Sequence, residues 1–231
     1  MTSPFPFIHL LSLTVCLLNL LGHKLNPSWC LAVIIIPLAP DALAMLAHWL
    51  QSICVGINWG AIEKKGIFGI KKEPVDLDGS CSVYDANKNL IDTVSFRKLI
   101  STDQAIKHSG DDLTGDLNGD DGLDNEVITL DLSRLNASAN YVAFFINSFR
   151  GQDFKDIPFA SIRIYEGTPT RVQEVFAKYD IANDKNFAGN VSMVLGVFYK
   201  RNDEWKFSAV GVPTSDKKLE QTIVTIQQNH L

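Results

Sequence analysis

From Ile53 to about Gly211 the chain alternates apolar and polar positions in short runs separated by Gly, Asn and Asp, which predicts strands and turns. SICVGINWG reads as a strand ending at Gly60, and AIEKKGIFGIKKEP after it as a basic loop punctuated by glycine. VDLDGSCSVYD has period two, so Val75 and Leu77 fall on one face and Asp76 and Asp78 on the other. DANKN (Asp85 to Asn89) has the chemistry of a hairpin turn leading into LIDTVSF. VITLDLSRL (Val127 to Leu135) predicts a half-buried strand, and the mostly apolar NYVAFFINSF (Asn140 to Phe149) a central one. FASIRIYEG, VQEVFAKYDI, VSMVLGVFYKR and WKFSAVG continue the series, with Asn202-Asp203 as the tightest turn. Only the last stretch changes period: Leu219, Ile223 and Ile226 recur at helical spacing behind Ser215 or Asp216 as a cap. The pattern predicts an all-β sandwich closed by one amphipathic helix.

The first part of the chain has a different texture. Phe5 to Leu21 is uncharged, Trp29 to Ile36 is nearly all apolar, and Lys24 is the only full side-chain charge before Asp41. The first run approaches the length of a short membrane helix, while Pro37 and Pro40 cut the second. No basic start and no clear cleavage site mark a secretory signal. Residues 1–52 therefore read either as membrane-associated helices, through which the protein would contact a membrane, or as an extension. Three segments follow: 1–52, a sandwich domain over 53–213, and the helix over 214–231.

Composition narrows the chemistry. With 46% apolar and 20% charged residues in 231, a real core is available. A net charge of −5 disfavours nucleic acid and suits a cation binder. Cys16, Cys30, Cys54 and Cys81 form no C-x-x-C pair, so neither zinc nor redox chemistry is indicated. No nucleophile, base and orienting group can be assembled, and no glycine-rich loop leads a strand into a helix, so no enzyme is expected.

The most informative stretch is HSGDDLTGDLNGDDGLDNE, residues 108–126. Asp111, Asp112, Asp116, Asp120, Asp121, Asp124 and Glu126 lie in it without a lysine or arginine, among Gly110, Gly115, Gly119 and Gly122. The glycines make it a loop. So many carboxylates in a compact loop repel one another unless a hard cation such as calcium sits among them, the alternative being a solvated acidic run. It is not the helix-flanked twelve-residue calcium loop. Counting from Asp116, Asn118 and Asp120 fit, but Asp121 stands where glycine is required and Val127 where glutamate is. His108 reads as a capping or surface residue, because zinc prefers nitrogen and sulfur partners.

GINWG (56–60), VDLDGSC (75–81), HSGDDLTGDLNGDD with Glu126, RGQDF (150–154) and EWKFSAVG (204–211) together resemble the TerD family of tellurite-resistance and stress-response proteins. The resemblance implies a bacterial, cytoplasmic, non-enzymatic calcium-binding β-sandwich with two neighbouring Ca2+ sites. It implies as ligands Asp76 and Asp78 from the strand, then Asp111, Asp112, Asp116, Asp120, Asp121 and Glu126 from the loop. It implies as partners other proteins of the tellurite-resistance system, a membrane component among them. A calcium-dependent membrane-docking module is the second reading. Three features depart from the family pattern. Asp112 stands where asparagine is frequent, Gly122 to Asn125 separate the GDD from Glu126 so that Asp124 is an alternative ligand, and residues 1–52 replace the usual polar opening, which leaves a strand or two of the sandwich open to question.

Overall fold

The computed structural model describes residues 52–67, 69–182 and 185–231; the apolar segment 1–52, with Cys16 and Cys30, lies outside them but for Ser52. Among the described residues twelve strands and one α-helix follow in order. They are β1 (Ser52–Trp59), β2 (Ile62–Gly66), β3 (Gly69–Glu73), β4 (Leu77–Tyr84), β5 (Leu90–Val94) and β6 (Ile106–His108). Then come β7 (Glu126–Asp131), β8 (Tyr141–Ser148), β9 (Ala160–Thr168), β10 (Arg171–Asp180), β11 (Ser192–Arg201), β12 (Glu204–Thr214) and α1 (Leu219–Asn229).

Two five-stranded sheets result, β10-β9-β1-β7-β6 and β12-β11-β8-β4-β5, with β2 and β3 as a separate hairpin. All strand pairs are antiparallel. The sheets enclose one core, to which β1 gives Ile53, Val55, Ile57 and Trp59, β4 gives Leu77, Cys81 and Val83, and β8 gives Phe144 and Ile146. The alternation read along β4 is this inward face. The sandwich is thus as predicted, and the described residues supply five strands to each sheet.

β8 is apolar from Val142 to Ile146 because both its faces are covered there. Its outer side chains Ala143 and Phe145 join Tyr84, Val194 and Val197 beneath Ile223 and Ile226 of α1. Two turns follow their local chemistry. Asp85 accepts from the backbone N–H of Asn87 and of Asn89, both at 2.8 Å. Asn202 and Asp203 both take positive φ (54° and 61°), as a two-residue hairpin turn requires.

Three local expectations are corrected. AIEKKGIFGIKKEP is a hairpin and not a loop: β2 and β3 pair from Ile62↔Glu73 to Gly66↔Gly69. Its lysines occupy both faces, which hides the alternation. The strand expected over Val127–Leu135 stops at Asp131, whose carboxylate caps a 3-10 turn over Leu132–Arg134. The helix begins after Lys218 with no side-chain cap, so neither Ser215 nor Asp216 caps it.

Candidate metal centre

One end of the sandwich is built where the acidic loop crosses the ends of β1 and β4. Trp59, wholly buried, fastens it. Its indole N–H donates to Val75 O (2.8 Å), its backbone N–H to Asn125 Oδ1 (2.8 Å), and its carbonyl accepts from Asp116 N (2.9 Å). Val75 N then donates to Thr114 O (3.2 Å), tying the loop to the segment that leads into β4. Gly115 turns under this indole with φ +63°, and a Cβ there would lie 2.5 Å from the ring. The GINWG, DLDG and TG motifs are therefore parts of one joint.

The joint gathers the predicted carboxylates into two groups. Asp76, Asp78 and Asp111 each offer a carboxylate oxygen within 4.8 Å of the others, and so do Asp116, Asp120 and Asp121. The first group is the drier: Asp76 is 2% and Asp78 3% exposed, while Asp111 faces solvent. Asp76 Oδ1 is buried without a hydrogen-bond partner. The nearest cation, Arg150, stands 3.8 Å from Asp76 Oδ2. Burial and then the neighbouring Asp111 push the Asp76 carboxyl up to about 6, against the pull of Arg150. Burial, then Asp76, Glu126 and Asp111, push Asp78 up to about 8. Carboxylates that have lost water without gaining donors hold a proton or a metal ion, and hard divalent ions fit an all-oxygen set.

The second group is wetter and better supplied with donors. Asp120 Oδ1 accepts from Asn58 Nδ2 (2.9 Å) and Gly122 N (2.8 Å), and these bonds hold its carboxyl below the usual range. Asp116 accepts from Asp121 N (3.2 Å) and Asn125 Nδ2 (3.1 Å), and Asp121 from Leu123 N (2.9 Å).

The two remaining predicted ligands fall into neither group. Asp112 organises the turn: its Oδ1 accepts from Thr114 N (2.9 Å), Thr114 Oγ1 (3.0 Å) and Gly115 N (3.0 Å). Burial works against its charge, yet the Thr114 and Gly115 bonds prevail and lower its pKa. Glu126 is fully buried. Its Oε2 accepts from Gly79 N (2.8 Å) and lies 3.3 Å from His108 Nε2, and its Oε1 accepts from Asp112 N (3.2 Å). Gly79 lets the carboxylate approach, since a Cβ there would strike Ile57 and lie 3.2 Å from Glu126 Oε2.

Two neighbours have other places than the sequence suggested. Asp124, the alternative to Glu126, lies over Gly56 on the opposite side of β1 from the core, where Arg163 Nε (2.9 Å) and Tyr165 OH (3.3 Å) donate to it. His108 is buried and not at the surface. Its Nδ1 accepts from Gly110 N (3.1 Å), which leaves the neutral ring's proton on Nε2, facing Gly79 O at 3.1 Å. Asn125, Asn58 and Arg150 were not singled out by sequence. Asn58 and Arg150 had a signal only as members of the GINWG and RGQDF motifs.

A fold with these motifs has known counterparts. A TerD domain model matches residues 41–224. The chain is 38% identical over 165 residues to the tellurium resistance protein TerZ of Serratia marcescens, covering 70% of this chain and 80% of that protein. It is 32% identical over 188 residues to the stress response protein SCP2 of Bacillus subtilis, covering 75% and 88%. The structure of a TerD homologue from Streptomyces coelicolor superposes with a TM-score of 0.60 at 19% identity, covering 77% of this chain and 95% of that one. The sandwich, the ordered motifs on its acidic end and these relatives agree, and the chain belongs to the TerD domain family.

Proposed function

We propose that the protein is a non-enzymatic calcium-binding member of the tellurium-resistance and stress-response group, in which calcium orders one end of the sandwich for contact with partner proteins. The observation that carries this reading is the donor-poor pair of buried Asp76 and Asp78 with solvent-facing Asp111, joined from two chain segments beside a second acidic set. Each set would take one ion, with backbone carbonyls and water completing a shell of about six to eight oxygens. Calcium is favoured over magnesium because the sets are irregular and magnesium demands a tight octahedron. The site of action is the cytoplasm, and the partners are other tellurite-resistance proteins, a membrane component included. Isothermal titration is expected to show about two calcium ions per chain and weaker magnesium binding. Asp76→Ala and Asp120→Ala should each remove one ion from the count. Equal affinity for the two metals, or no calcium heat at all, counts against the reading.

A second reading, calcium-dependent docking on an anionic membrane, has its own support. Leu113, Leu117 and Leu123 of the acidic loop are exposed, as is Ile67 at the tip of the β2–β3 hairpin, which is 98% exposed. The hairpin carries Lys64, Lys65, Lys71 and Lys72, and Lys72 Nζ donates to Leu117 O. Among the described residues no helix is long and apolar enough to cross a membrane. Co-sedimentation with phosphatidylserine vesicles decides: pelleting that needs calcium and is lost in Ile67→Glu favours docking, and no pelleting removes it.

A further inference from the structure

One amide on the outer face of β1 has only half of its hydrogen bonding met. Asn58 lies between Ile57 and Trp59, both in the core, so its side chain projects to the opposite face of the sheet. There it is 7% exposed. Along one side of β1 the pairing with β9 continues here, Asn58 opposite Ser161. Along the other side the pairing with β7 ends at Ile57↔Glu126, and the acidic loop takes over that edge. Asp116 bridges Gly60, and Asn125 Oδ1 accepts from Trp59 N (2.8 Å). Asn58 is therefore the outward side chain of β1 set where the strand meets the group of Asp116, Asp120 and Asp121.

Two amides border that group, and they differ in one respect. Asn125 is engaged at both ends, its Oδ1 by Trp59 N and its Nδ2 by Asp116 Oδ1 at 3.1 Å. Reversing it would break both bonds, so its orientation is fixed. Asn58 is engaged at one end only. Its Nδ2 donates to Asp120 Oδ1 at 2.9 Å, while its own Oδ1 is buried with no hydrogen-bond partner. A buried carbonyl oxygen without a donor is costly. The arm of the amide that stands at the acidic group is the one bonded to Asp120, and the two arms are alike in size and shape. Turning the amide over would put its oxygen there, 2.9 Å from a carboxylate oxygen, and without a cation the two would repel.

A divalent ion reverses the sign of that encounter. Oxygens held about 2.4 Å from one calcium ion, in a shell of six to eight, lie about 3 Å apart. The spacing between Asn58 and Asp120 is thus that of two ligands on one ion. Asp116, Asp120 and Asp121 bring three negative charges to a doubly positive ion, and an amide oxygen adds a ligand without adding a fourth charge.

We propose that Asn58 is a ligand of the ion taken up by Asp116, Asp120 and Asp121, and that its amide turns over as the ion enters. This rests on the calcium reading above and adds to it a ligand from β1. The exchange gives up the N–H bond to Asp120 and places an oxygen on the metal. Its consequence is a firmer tie between loop and sheet: strand and loop then share one ion, and the segment bearing exposed Leu117 is fixed against β1.

The test is calcium titrated into the full chain and into Asn58→Ala and Asn58→Asp, followed by calorimetry, with the Asn58 side-chain signals of the natural chain followed by NMR. Asn58→Ala should weaken one of the two calcium ions by about tenfold or more, and leave the ion at Asp76, Asp78 and Asp111 as it was. Asn58→Asp offers an oxygen but cannot donate, so it should hold its ion at least as tightly as the natural chain does. Calcium should also shift the side-chain nitrogen and carbonyl-carbon signals of Asn58, a readout that needs no substitution. Asn58 lies outside the core, so both variants should fold, which cooperative melting in chelator verifies. Calcium affinities unchanged in Asn58→Ala, or side-chain signals that ignore calcium, overturn the assignment. So does a loss in Asn58→Asp as large as in Asn58→Ala, since the site would then need the N–H and not an oxygen. No calcium heat in the natural chain removes the calcium reading and this ligand together, whereas two ions indifferent to Asn58 remove the ligand alone.

Discussion

Chelation of calcium is expected to lower the melting temperature of the protein by about 5 to 10 °C, because an ion that binds only the folded state adds roughly 2.7 kcal/mol at a hundred times its dissociation constant. The unfolded chain cannot bind as well, since Asp76 and Asp78 are separated from Asp111 by more than thirty residues. The effect has a defined pH dependence. In the metal-free fold Asp76 is pushed up to about 6 and Asp78 to about 8, burial being the largest cause for each. In the unfolded chain both return to the ordinary carboxylate value of about 3.9. Between those limits the folded state binds more protons than the unfolded one, so metal-free stability falls as pH rises from about 4 through about 8. Calcium acts in the opposite sense, because protons compete with it for the same oxygens. A calcium-induced rise in melting temperature should therefore be larger at about pH 8 than at about pH 5.5. Differential scanning calorimetry on ion-loaded and chelated protein checks both. A melting curve indifferent to chelator, on protein shown to start loaded, returns the loop to a solvated acidic run.

Replacing Glu126 by alanine should destabilise the fold by about 3 kcal/mol, whatever metal is present. The loss strands the N–H groups of Gly79 and Asp112, leaves His108 Nε2 with Gly79 O alone, and opens a hole between the sheets. Glu126→Gln keeps the shape and one acceptor, and should recover part of the loss. Urea denaturation measures the difference, with the slope unchanged if only stability has moved. Were Glu126 chiefly a metal ligand, Glu126→Ala would change the calcium titration and leave the chelated protein's midpoint where it was.

Much of this was written in local pattern. Period-two alternation identified β4 and β7, because a strand between two faces must alternate whatever it pairs with, and short apolar runs between turn residues identified β1, β8 and the later strands. The same rule also contained Glu126 and His108. Glu126 shares a parity with Ile128 and Leu130, and His108 with Ile106, all buried, so both polar groups had to point inward. The density of acidic residues overshadowed that signal. The β2–β3 hairpin was missed for the converse reason, since charge on both faces leaves no period to read.

What the sequence by itself determined was the sandwich, its closing helix, and the identity of the segments that carry carboxylates, since these depend on periodicity, turn residues and composition. Tertiary structure alone decided which carboxylates meet. Asp76, Asp78 and Asp111 come together because Trp59 clamps the loop between two strands, and Asp124 is drawn to Arg163 on the other face of the sheet. Burial settled the rest: seven similar acidic side chains in one loop become ligand candidates, turn anchors or an interior strut according to how much water and how many N–H donors each has kept, and no single-chain pattern encodes that distribution.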